Sequence, residues 1–284
     1  MKNKKQVITE VIIVAIVIIF AGAIMVFMPQ MVEEAEDENT TLEKLAYDQS
    51  GRKKAVYIKE NGEYVPYLVL ESDYDGNVLL LRENVLPEPM QYKPSPHGGD
   101  GEVLSGGWMH YDYGSYYEES SIDAFLRDDF LERFSPEVQE AVVDTTIEVT
   151  DLDSFTEAHW ANATHMIERK VFLLSAVELG LTFSMGRCMT REGNALKYFE
   201  DTEHDVKKAY TADGEAWPYW TRTPWVWETY EVIVIGVTYE LNGATADRKV
   251  GVRPAFCMGK DTAVHKESGI LEDKSVYVLD LENG

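Results

Sequence analysis

The apolar residues of this chain form one long uninterrupted run near the start and many short runs afterwards. Val11 to Met28 is the long run, with 18 residues and no charged side chain, and Pro29 follows it. A helix rises about 1.5 Å per residue, so this stretch would span about 27 Å, close to the roughly 30 Å of a bilayer's hydrocarbon core. The pattern therefore predicts one transmembrane helix over residues 11–28, in contact with membrane lipid.

The charges beside this run predict its orientation. Lys2, Lys4 and Lys5 precede the run, whereas residues 33–38 are almost all acidic. Positively charged flanks stay on the cytoplasmic side of a membrane. We therefore expect a single-pass protein of the cell membrane whose N-terminus, residues 1–10, is cytoplasmic.

The remaining chain is then expected outside the cytoplasm. Residues 29–50 are acidic and polar without an apolar period, which is typical of a stalk or linker. Residues 51–284 form the extracytoplasmic domain in this interpretation.

Two alternatives for the N-terminus stay open. Ala21-Gly22-Ala23 has the small residues of a signal-peptide cleavage site, although the apolar run continues beyond it. The segment from Thr9 to Ile16 resembles the start of type IV pilins and pseudopilins, in which a Glu heads a long apolar helix. Lys5 and Gln6 occupy the processing site, where that family has a small residue.

Beyond residue 50 the apolar runs are short and are separated by turn residues, which is typical of β-strands. Asn61-Gly62 and Asp75-Gly76 are dipeptides that favour tight hairpin turns. Strands are predicted at Tyr57–Ile58, Tyr67–Leu70, Val78–Leu81, Val171–Leu174, Glu231–Tyr239, Val250–Phe256 and Ser275–Leu279, with a further hairpin turn at Asn242-Gly243 and a surface loop over Pro87–Gly107.

Other stretches have a helical period or a helix-capping pattern. They are Ser121–Phe134 with Ser120 or Ser121 as N-cap, a helix opened by Ser135-Pro136-Glu137, a short helix capped by Ser175 and Glu178, and the charged stretch Glu192–Tyr210. Short antiparallel strands together with two or more helices predict an α+β domain.

Charge excludes one class of partner. The formal net charge is −24, and the first 28 residues carry +2, so the rest carries −26. Because a domain with this much negative charge is repelled by phosphate backbones, we expect no nucleic-acid partner. Solubility alone explains such acidity, and a cationic partner is also compatible with it.

No catalytic or metal-binding constellation stands out in the sequence. The chain contains no His-Glu-x-x-His pattern, no Gly-x-Ser-x-Gly elbow and no Gly-rich phosphate loop. The only cysteines are Cys188 and Cys257, which form either one disulfide or two buried thiols. We therefore expect no metal, no cofactor and no enzymatic activity.

Aromatic residues crowd one stretch of the second half. They are Trp217, Tyr219, Trp220, Trp225, Trp227 and Tyr230. Arg222 and Pro224 lie among them, within Trp220-Thr221-Arg222-Thr223-Pro224, and the motif Gly251-Val252-Arg253-Pro254-Ala255 follows later.

These two motifs resemble a bacterial domain of unknown function that is found in many Firmicutes. Its usual pattern is W-L-R-S-P, a variable segment, and then G-V-R-P-A. This chain departs from it only at Thr221 and Thr223, where Leu and Ser are usual. The segments Ser121–Phe130 and Lys170–Ser175, together with the strands at 69–70 and 78–81, match earlier marks of the family in order, so the resemblance covers about residues 57–258.

That family looks related to the C-type-lectin-like fold of formylglycine-generating enzymes and retroelement-diversified receptors. The resemblance therefore implies a C-type-lectin-like domain with short twisted antiparallel sheets. It also implies that the segment between the two Arg motifs is a variable region displayed on the surface. The calcium-dependent sugar motifs Glu-Pro-Asn and Trp-Asn-Asp are absent from this sequence.

The residues of the two motifs allow structural or ligand-binding roles. The forked guanidinium groups of Arg222 and Arg253 would bond either backbone carbonyls and carboxylates or an anionic ligand. Trp220 is expected in the core. Trp225 and Trp227 alternate along an extended segment, so they would share one face and, with Tyr230, offer a stacking platform.

Our leading hypothesis from the sequence is a membrane-anchored extracytoplasmic domain that binds a glycan or protein ligand through these aromatic residues. The first alternative is a structural or pilin-like component of the envelope. The second is a cysteine-dependent, oxidase-like enzyme, because the related oxidase fold uses a cysteine pair.

Overall fold

Most of the elements that the structure describes are strands, in which apolar and polar residues alternate. The computed structural model describes residues 39–47, 54–94, 115–151, 154, 163–181, 189–200, 204–225, 230–238, 241–271 and 274–281. Numbered along the chain, the strands are β1 Asn39–Thr41, β2 Ala55–Glu60, β3 Glu63–Tyr74, β4 Asn77–Arg82, β5 Met90–Gln91, β6 Val142–Val143, β7 Thr145–Thr150, β8 Thr164–Arg169, β9 Val171–Phe172, β10 Ala209–Tyr210, β11 Ala216–Trp217, β12 Tyr219–Pro224, β13 Glu231–Ile235, β14 Leu241–Thr245, β15 Lys249–Val250, β16 Ala255–Met258, β17 Ala263–Leu271 and β18 Lys274–Leu279.

Within the described ranges the helices are few and short. They are α1 Leu42–Leu45, α2 Ser121–Asp128, α3 Pro136–Ala141 and α4 Lys197–Glu200, with 3-10 turns at Tyr117–Glu119, Phe130–Arg133 and His204–Lys207. Of the residues that the structure describes, 46% lie in strands and 17% in helices. The expected α+β, C-type-lectin-like architecture is therefore wrong, and a mainly β fold replaces it. The reason is that most helical stretches stop after one or two turns, so the sheets bury most of the apolar surface.

The predicted transmembrane helix falls on residues that the structure does not describe. Residues 1–38 lie outside the described ranges, and so do residues 48–53 at the end of the expected stalk. Within the described ranges, no helix has both the length and the apolar content that are needed to cross a membrane.

Nine strands form the largest sheet, in the order β1-β17-β18-β2-β3-β4-β16-β6, with β9 also paired to β16. The pairing of β18 with β2 is parallel, and the other pairings are antiparallel. A second sheet has the order β12-β13-β14, and two-stranded sheets join β7 to β8, β10 to β11 and β5 to β15.

The hairpin turns predicted at Asn61-Gly62 and Asp75-Gly76, both in the large sheet, are confirmed. Asn61 and Gly62 join β2 to β3 with φ of 51° and 88°, and Asp75 and Gly76 join β3 to β4 with φ of 49° and 80°. Positive φ at both central positions is what two-residue hairpins require, and Asn, Asp and Gly adopt it at low cost.

The start of α2 is also confirmed. The Ser120 side chain accepts a hydrogen bond from the backbone N–H of Asp123 at 2.9 Å, which satisfies a donor at the helix start. Ile122 and Leu126 on its inner face are fully buried. The 3-10 turn that follows brings Phe130 and Phe134 onto the large sheet, with the Phe134 ring centre 5.6 Å from that of Phe256 on β16.

Among the local predictions, those for Glu192–Tyr210 and for Asn242-Gly243 are wrong. In the described part of the helix predicted over Glu192–Tyr210, α4 and the 3-10 turn at His204–Lys207 form, whereas residues 192–196 are irregular and Ala209–Tyr210 form β10. Asn242 and Gly243 lie inside β14 instead of forming a hairpin turn. A Cβ at Gly243 would lie 2.4 Å from Oε2 of Glu231 on the neighbouring strand, the far end of a flexible side chain that would have to shift.

We predict that Gly251→Ala destabilises the fold by about 1–3 kcal/mol, the usual cost of overpacking. A Cβ at Gly251 would lie 2.7 Å from the Pro218 carbonyl oxygen and 2.8 Å from Cγ1 of Val85. Chemical denaturation measures the difference. The control is Gly259→Ala, whose Cβ would meet nothing closer than the Thr262 hydroxyl at 3.7 Å. Equal midpoints for the two variants would contradict the prediction.

Candidate functional site

Arg222, on β12, is a fully buried charge with a bidentate carboxylate partner. Its Nη1 donates to Oε2 of Glu178 at 2.7 Å, and its Nη2 donates to Oε1 at 2.8 Å. Arg222 is 0% and Glu178 1% exposed. Two parallel N–H···O bonds to one carboxylate give both strength and a fixed orientation.

The remaining bonds of Arg222 go to the backbone. Nε donates to the carbonyl of Glu148 on β7 at 2.9 Å, and Nη1 donates to the carbonyl of Leu173 at 2.8 Å. Burial alone would lower the pKa of Arg222, but the Glu178 carboxylate outweighs it and holds the pKa above its ordinary value. The guanidinium is therefore committed to the protein itself, and it presents no exposed surface to a ligand.

Glu178 is positioned by the capping pattern that the sequence predicted. The Glu178 N–H donates to the Ser175 hydroxyl at 3.0 Å, and the Ser175 N–H donates to the Glu178 carboxylate at 2.8 Å. The two reciprocal bonds form around a turn over residues 176–180, where a short helix was expected. The Tyr74 hydroxyl of β3 donates to the same carboxylate at 2.6 Å, and burial raises the pKa of Tyr74 well above its usual range.

A second buried carboxylate, Glu192, lies close to the first and binds hydroxyl groups. It accepts from the Thr150 hydroxyl at 2.6 Å and from the Thr223 hydroxyl at 2.5 Å. Burial raises the pKa of Glu192, whereas the Arg222 charge and the two hydroxyls lower it. Because its side chain is drawn into the core, Glu192 cannot take part in a surface helix, which explains why the predicted helix does not form there.

The second motif arginine, Arg253, is 2% exposed. Its Nε donates to the Arg82 carbonyl at 2.9 Å, and its guanidinium carbon lies 5.3 Å from the ring centre of Tyr219. Arg82 in turn donates to the buried carboxylate of Glu60 at 2.8 Å. Arg253 therefore joins the end of β4 to the start of β12.

The two sequence motifs are thus buried segments of the fold. All six residues of β12 are buried, and so are Gly251, Arg253 and Pro254. Trp220 is 1% exposed, and its indole N–H donates to the Met90 carbonyl at 2.9 Å.

Of the aromatic surface candidates, the structure places two near the surface. Trp225 and Tyr230 are partly exposed, and Trp227 lies outside the described residues. The Trp225 N–H donates to the Glu231 carbonyl at 2.8 Å. Its ring lies next to Gly243, since a Cβ there would be 3.7 Å from Cε3 of Trp225. The indole is therefore supported by the three-stranded sheet and remains partly open to solvent.

Cys257 is a free thiol on β16 and is fully buried. Burial raises the pKa of Cys257 to about 12. Its proposed disulfide partner, Cys188, lies outside the described residues. Within the described ranges, no group of three or more His, Cys, Asp or Glu side chains is arranged to hold a metal ion.

Sequence reasoning did not find the acidic partners of these arginines. Glu178 was predicted only as a capping residue, Glu192 was predicted to lie in a charged helix, and Glu60 was not singled out. The only signal in the sequence was the spacing of Ser175 and Glu178. It predicted a capping role for the Glu178 carboxylate but not that this carboxylate binds Arg222.

The family comparison concerns this same region. Residues 75–260 match the model of a family described as Domain of unknown function (DUF6273). The chain belongs to this family. In this DUF6273 protein the matched span contains both arginine motifs and Glu178, whereas β1, β2, β3, β17 and β18 lie outside it. No curated protein and no solved structure matched the chain.

We predict that Glu178→Gln destabilises the protein by about 3–5 kcal/mol, because removing one partner of a buried pair leaves the other charge uncompensated. Urea denaturation of the full chain measures the change. The control is Asp73→Asn, which breaks the exposed pair of Asp73 with Lys260 and is expected to cost no more than about 1 kcal/mol. A loss of that small size for Glu178→Gln would show that the buried pair contributes little.

Proposed function

We propose that this DUF6273 protein is a membrane-anchored, extracytoplasmic, non-catalytic domain of the bacterial envelope that binds an extracellular glycan or protein ligand. The apolar run at 11–28 and the lysines before it support the anchor and its orientation. The strongly acidic remainder supports a body that stands off anionic lipid headgroups.

The observation that carries the binding role is the position of Trp225. It directly follows β12, the strand on which Arg222 is locked between Glu178 and backbone carbonyls. A partly exposed indole on a rigid, ion-paired support loses little conformational freedom when a ligand stacks on it. Aromatic anchors of this kind carry a large share of the binding energy at protein surfaces.

Tyr230 extends the same surface. The Ala246 N–H donates to the Tyr230 carbonyl at 2.8 Å, which holds the backbone at the start of β13. Trp225 and Tyr230 are therefore presented from the two adjacent strand ends. We interpret them as one aromatic surface, which we call the Trp225 surface.

We predict that Trp225→Ala weakens ligand binding by at least about tenfold, the effect expected for an aromatic hot spot. The full chain in detergent is first screened against arrays of cell-wall glycans and of peptides, and the hit is then titrated with each variant. Tyr210→Ala is the control, since Tyr210 is an exposed aromatic residue on a different sheet. Two results would refute the Trp225 surface as the site. One is an equal loss of binding in both variants, and the other is an array without any hit.

We predict that a protease added to intact cells removes residues beyond about 30 and leaves only a membrane-bound N-terminal fragment. Immunoblots with tags at either end follow the two parts, and a cytoplasmic protein serves as the control for lysis. Recovery of the untouched chain in the cytosol would exclude the proposed localisation. An N-terminus that begins after residue 23 would instead support signal-peptide cleavage.

A further inference from the structure

A carboxylate lies beside the Trp225 surface. Glu231 is the first residue of β13 and directly follows Tyr230. Its side chain is partly exposed, as are those of Trp225 and Tyr230. The Trp225 N–H donates to the Glu231 carbonyl at 2.8 Å, so these two residues lie opposite each other where β12 ends and β13 begins. The charge of Glu231 therefore bears on which ligand this surface takes.

Strand register places Glu231 and Trp225 on the same face of the three-stranded sheet. Glu231 pairs with Thr245 of β14 on one side and lies opposite Trp225 on the other. Residues directly opposite each other in antiparallel strands point to the same face, and so do residues two apart on one strand. Trp225, Glu231 and Thr245 therefore form one row across the sheet. Gly243, two residues before Thr245, lies on the same face beside this row.

The glycine at position 243 lets the indole ring and the carboxylate approach the same point. A Cβ there would overlap Oε2 of Glu231 and would lie 3.7 Å from Cε3 of Trp225. Both groups therefore border a stretch of backbone that carries no side chain. Gly243 is itself exposed, so solvent reaches this point. We call it the Gly243 patch, formed by Gly243 with the side chains of Trp225 and Glu231 on its borders.

Both borders of the Gly243 patch attract positive charge. The face of an indole ring is electron-rich and binds ammonium and guanidinium groups, and a carboxylate has several acceptor positions for their N–H groups. The net charge of −24 adds a field that draws cations and repels anions.

The charged residues that follow β14 do not reverse this preference. Asp247 and Arg248 are exposed and opposite in sign, and they lie in a turn that returns the Arg248 N–H to the Thr245 carbonyl at 2.9 Å. Lys249 begins β15 and pairs with Gln91 in a different sheet. The carboxylate on the row of Trp225 is therefore the charge that a ligand on the Gly243 patch meets first.

The strand that carries the patch favours a peptide as the bearer of the positive charge. In the described part of the chain β14 pairs only with β13, and its residues Asn242 and Gly243 are exposed. The N–H and C=O groups of such an edge strand pair readily with an extended peptide. A lysine or arginine of that peptide would lay its alkyl stem on Trp225 and bring its charge to Glu231.

We propose that the Trp225 surface binds a basic, extended segment of a protein ligand, with one Lys or Arg side chain on the Gly243 patch between Trp225 and Glu231. This inference rests on the proposed binding function, because it names the ligand class of the same surface. It narrows that ligand from a glycan or a protein to a cationic peptide.

The test uses the full chain in a non-ionic detergent and four probes, titrated by calorimetry. The probes are tetralysine, the same peptide with every lysine side chain acetylated, a hexamer of glucosamine as a cationic sugar, and cellohexaose as a neutral one. Tetralysine is expected to bind, with an affinity that falls as salt rises. The acetylated peptide should bind at least about tenfold more weakly, because acetylation removes the charge. Binding of either sugar without binding of tetralysine would overturn the peptide ligand.

Variants compared at one salt concentration separate the patch from the overall charge of the chain. Trp225→Ala and Glu231→Gln are each expected to weaken tetralysine binding about tenfold, the size of a well-formed cation–π contact. Gly243→Ala, whose added methyl group would displace the Glu231 carboxylate, should weaken it as well. Asp247→Asn removes the same charge from an exposed position after β14 and should change the affinity by no more than about twofold. Thermal unfolding checks that each variant is folded.

Failure of this inference differs from failure of the proposed function. Equal binding of tetralysine to the unchanged chain and to folded Trp225→Ala and Glu231→Gln would show attraction by the overall charge, and would overturn the Gly243 patch as the site. A neutral array hit that Trp225→Ala loses and Glu231→Gln keeps would leave the binding function standing and overturn the cationic ligand. An array without any hit, together with no binding of tetralysine, would refute both.

Discussion

A guanidinium group that has been taken fully out of water must be surrounded by acceptors, and the fold around Arg222 meets that requirement. Its acceptors come from three segments: the Glu178 carboxylate 44 residues earlier in the chain, the Leu173 carbonyl after β9, and the Glu148 carbonyl on β7. A fourth segment, β3, contributes the Tyr74 hydroxyl, which donates to the same carboxylate. Each short strand would be marginal alone, since isolated hairpins are barely stable in water. A charge that needs all of them at once selects one arrangement over competing apolar packings.

The buried pair of Arg222 and Glu178 also explains why the two sequence motifs are structural whereas the neighbouring Trp225 is partly exposed to solvent. Along β12 the side chains of Trp220 and Arg222 are held by the Met90 carbonyl and by Glu178. Beyond Pro224 the chain reaches the surface, and Trp225 lies there beside Gly243. A rigid interior and a partly exposed aromatic residue on the same segment are what a binding surface needs, because little order has to be gained when the ligand arrives.

The large sheet extends beyond the family-matched span. Its strands β17, β18, β2 and β3 lie outside that span, and the Tyr64 hydroxyl of β3 donates to Glu267 of β17 across the two strands between them. The Trp225 surface depends on the three-stranded sheet, whereas this contact depends on the register of β17, β18, β2 and β3. A chain with a net charge of −24 would repel most anionic polymers, which favours neutral ligands or cationic ones.

Local chemistry determined much of the secondary structure. Asn61-Gly62 and Asp75-Gly76 adopt left-handed backbone angles at low cost, and Ser120 and Pro136 favour helix starts through contacts within one turn. The short apolar runs predicted strands at β2, β3, β4 and β18 for the same reason. These features depend on neighbours in the chain, so the sequence alone was enough to place them.

The pairing of distant groups was decided only in the tertiary structure. Glu192 has the composition of a surface helix around it, yet Thr150 and Thr223 draw it into the core. Asn242-Gly243 has the signature of a hairpin, but pairing with Val234 and Ile233 of β13 makes it part of a strand. The partner of Arg222, the contact of Tyr64 with Glu267 and the balance of strand over helix likewise depend on contacts between residues far apart in the chain, whose energies no local pattern encodes.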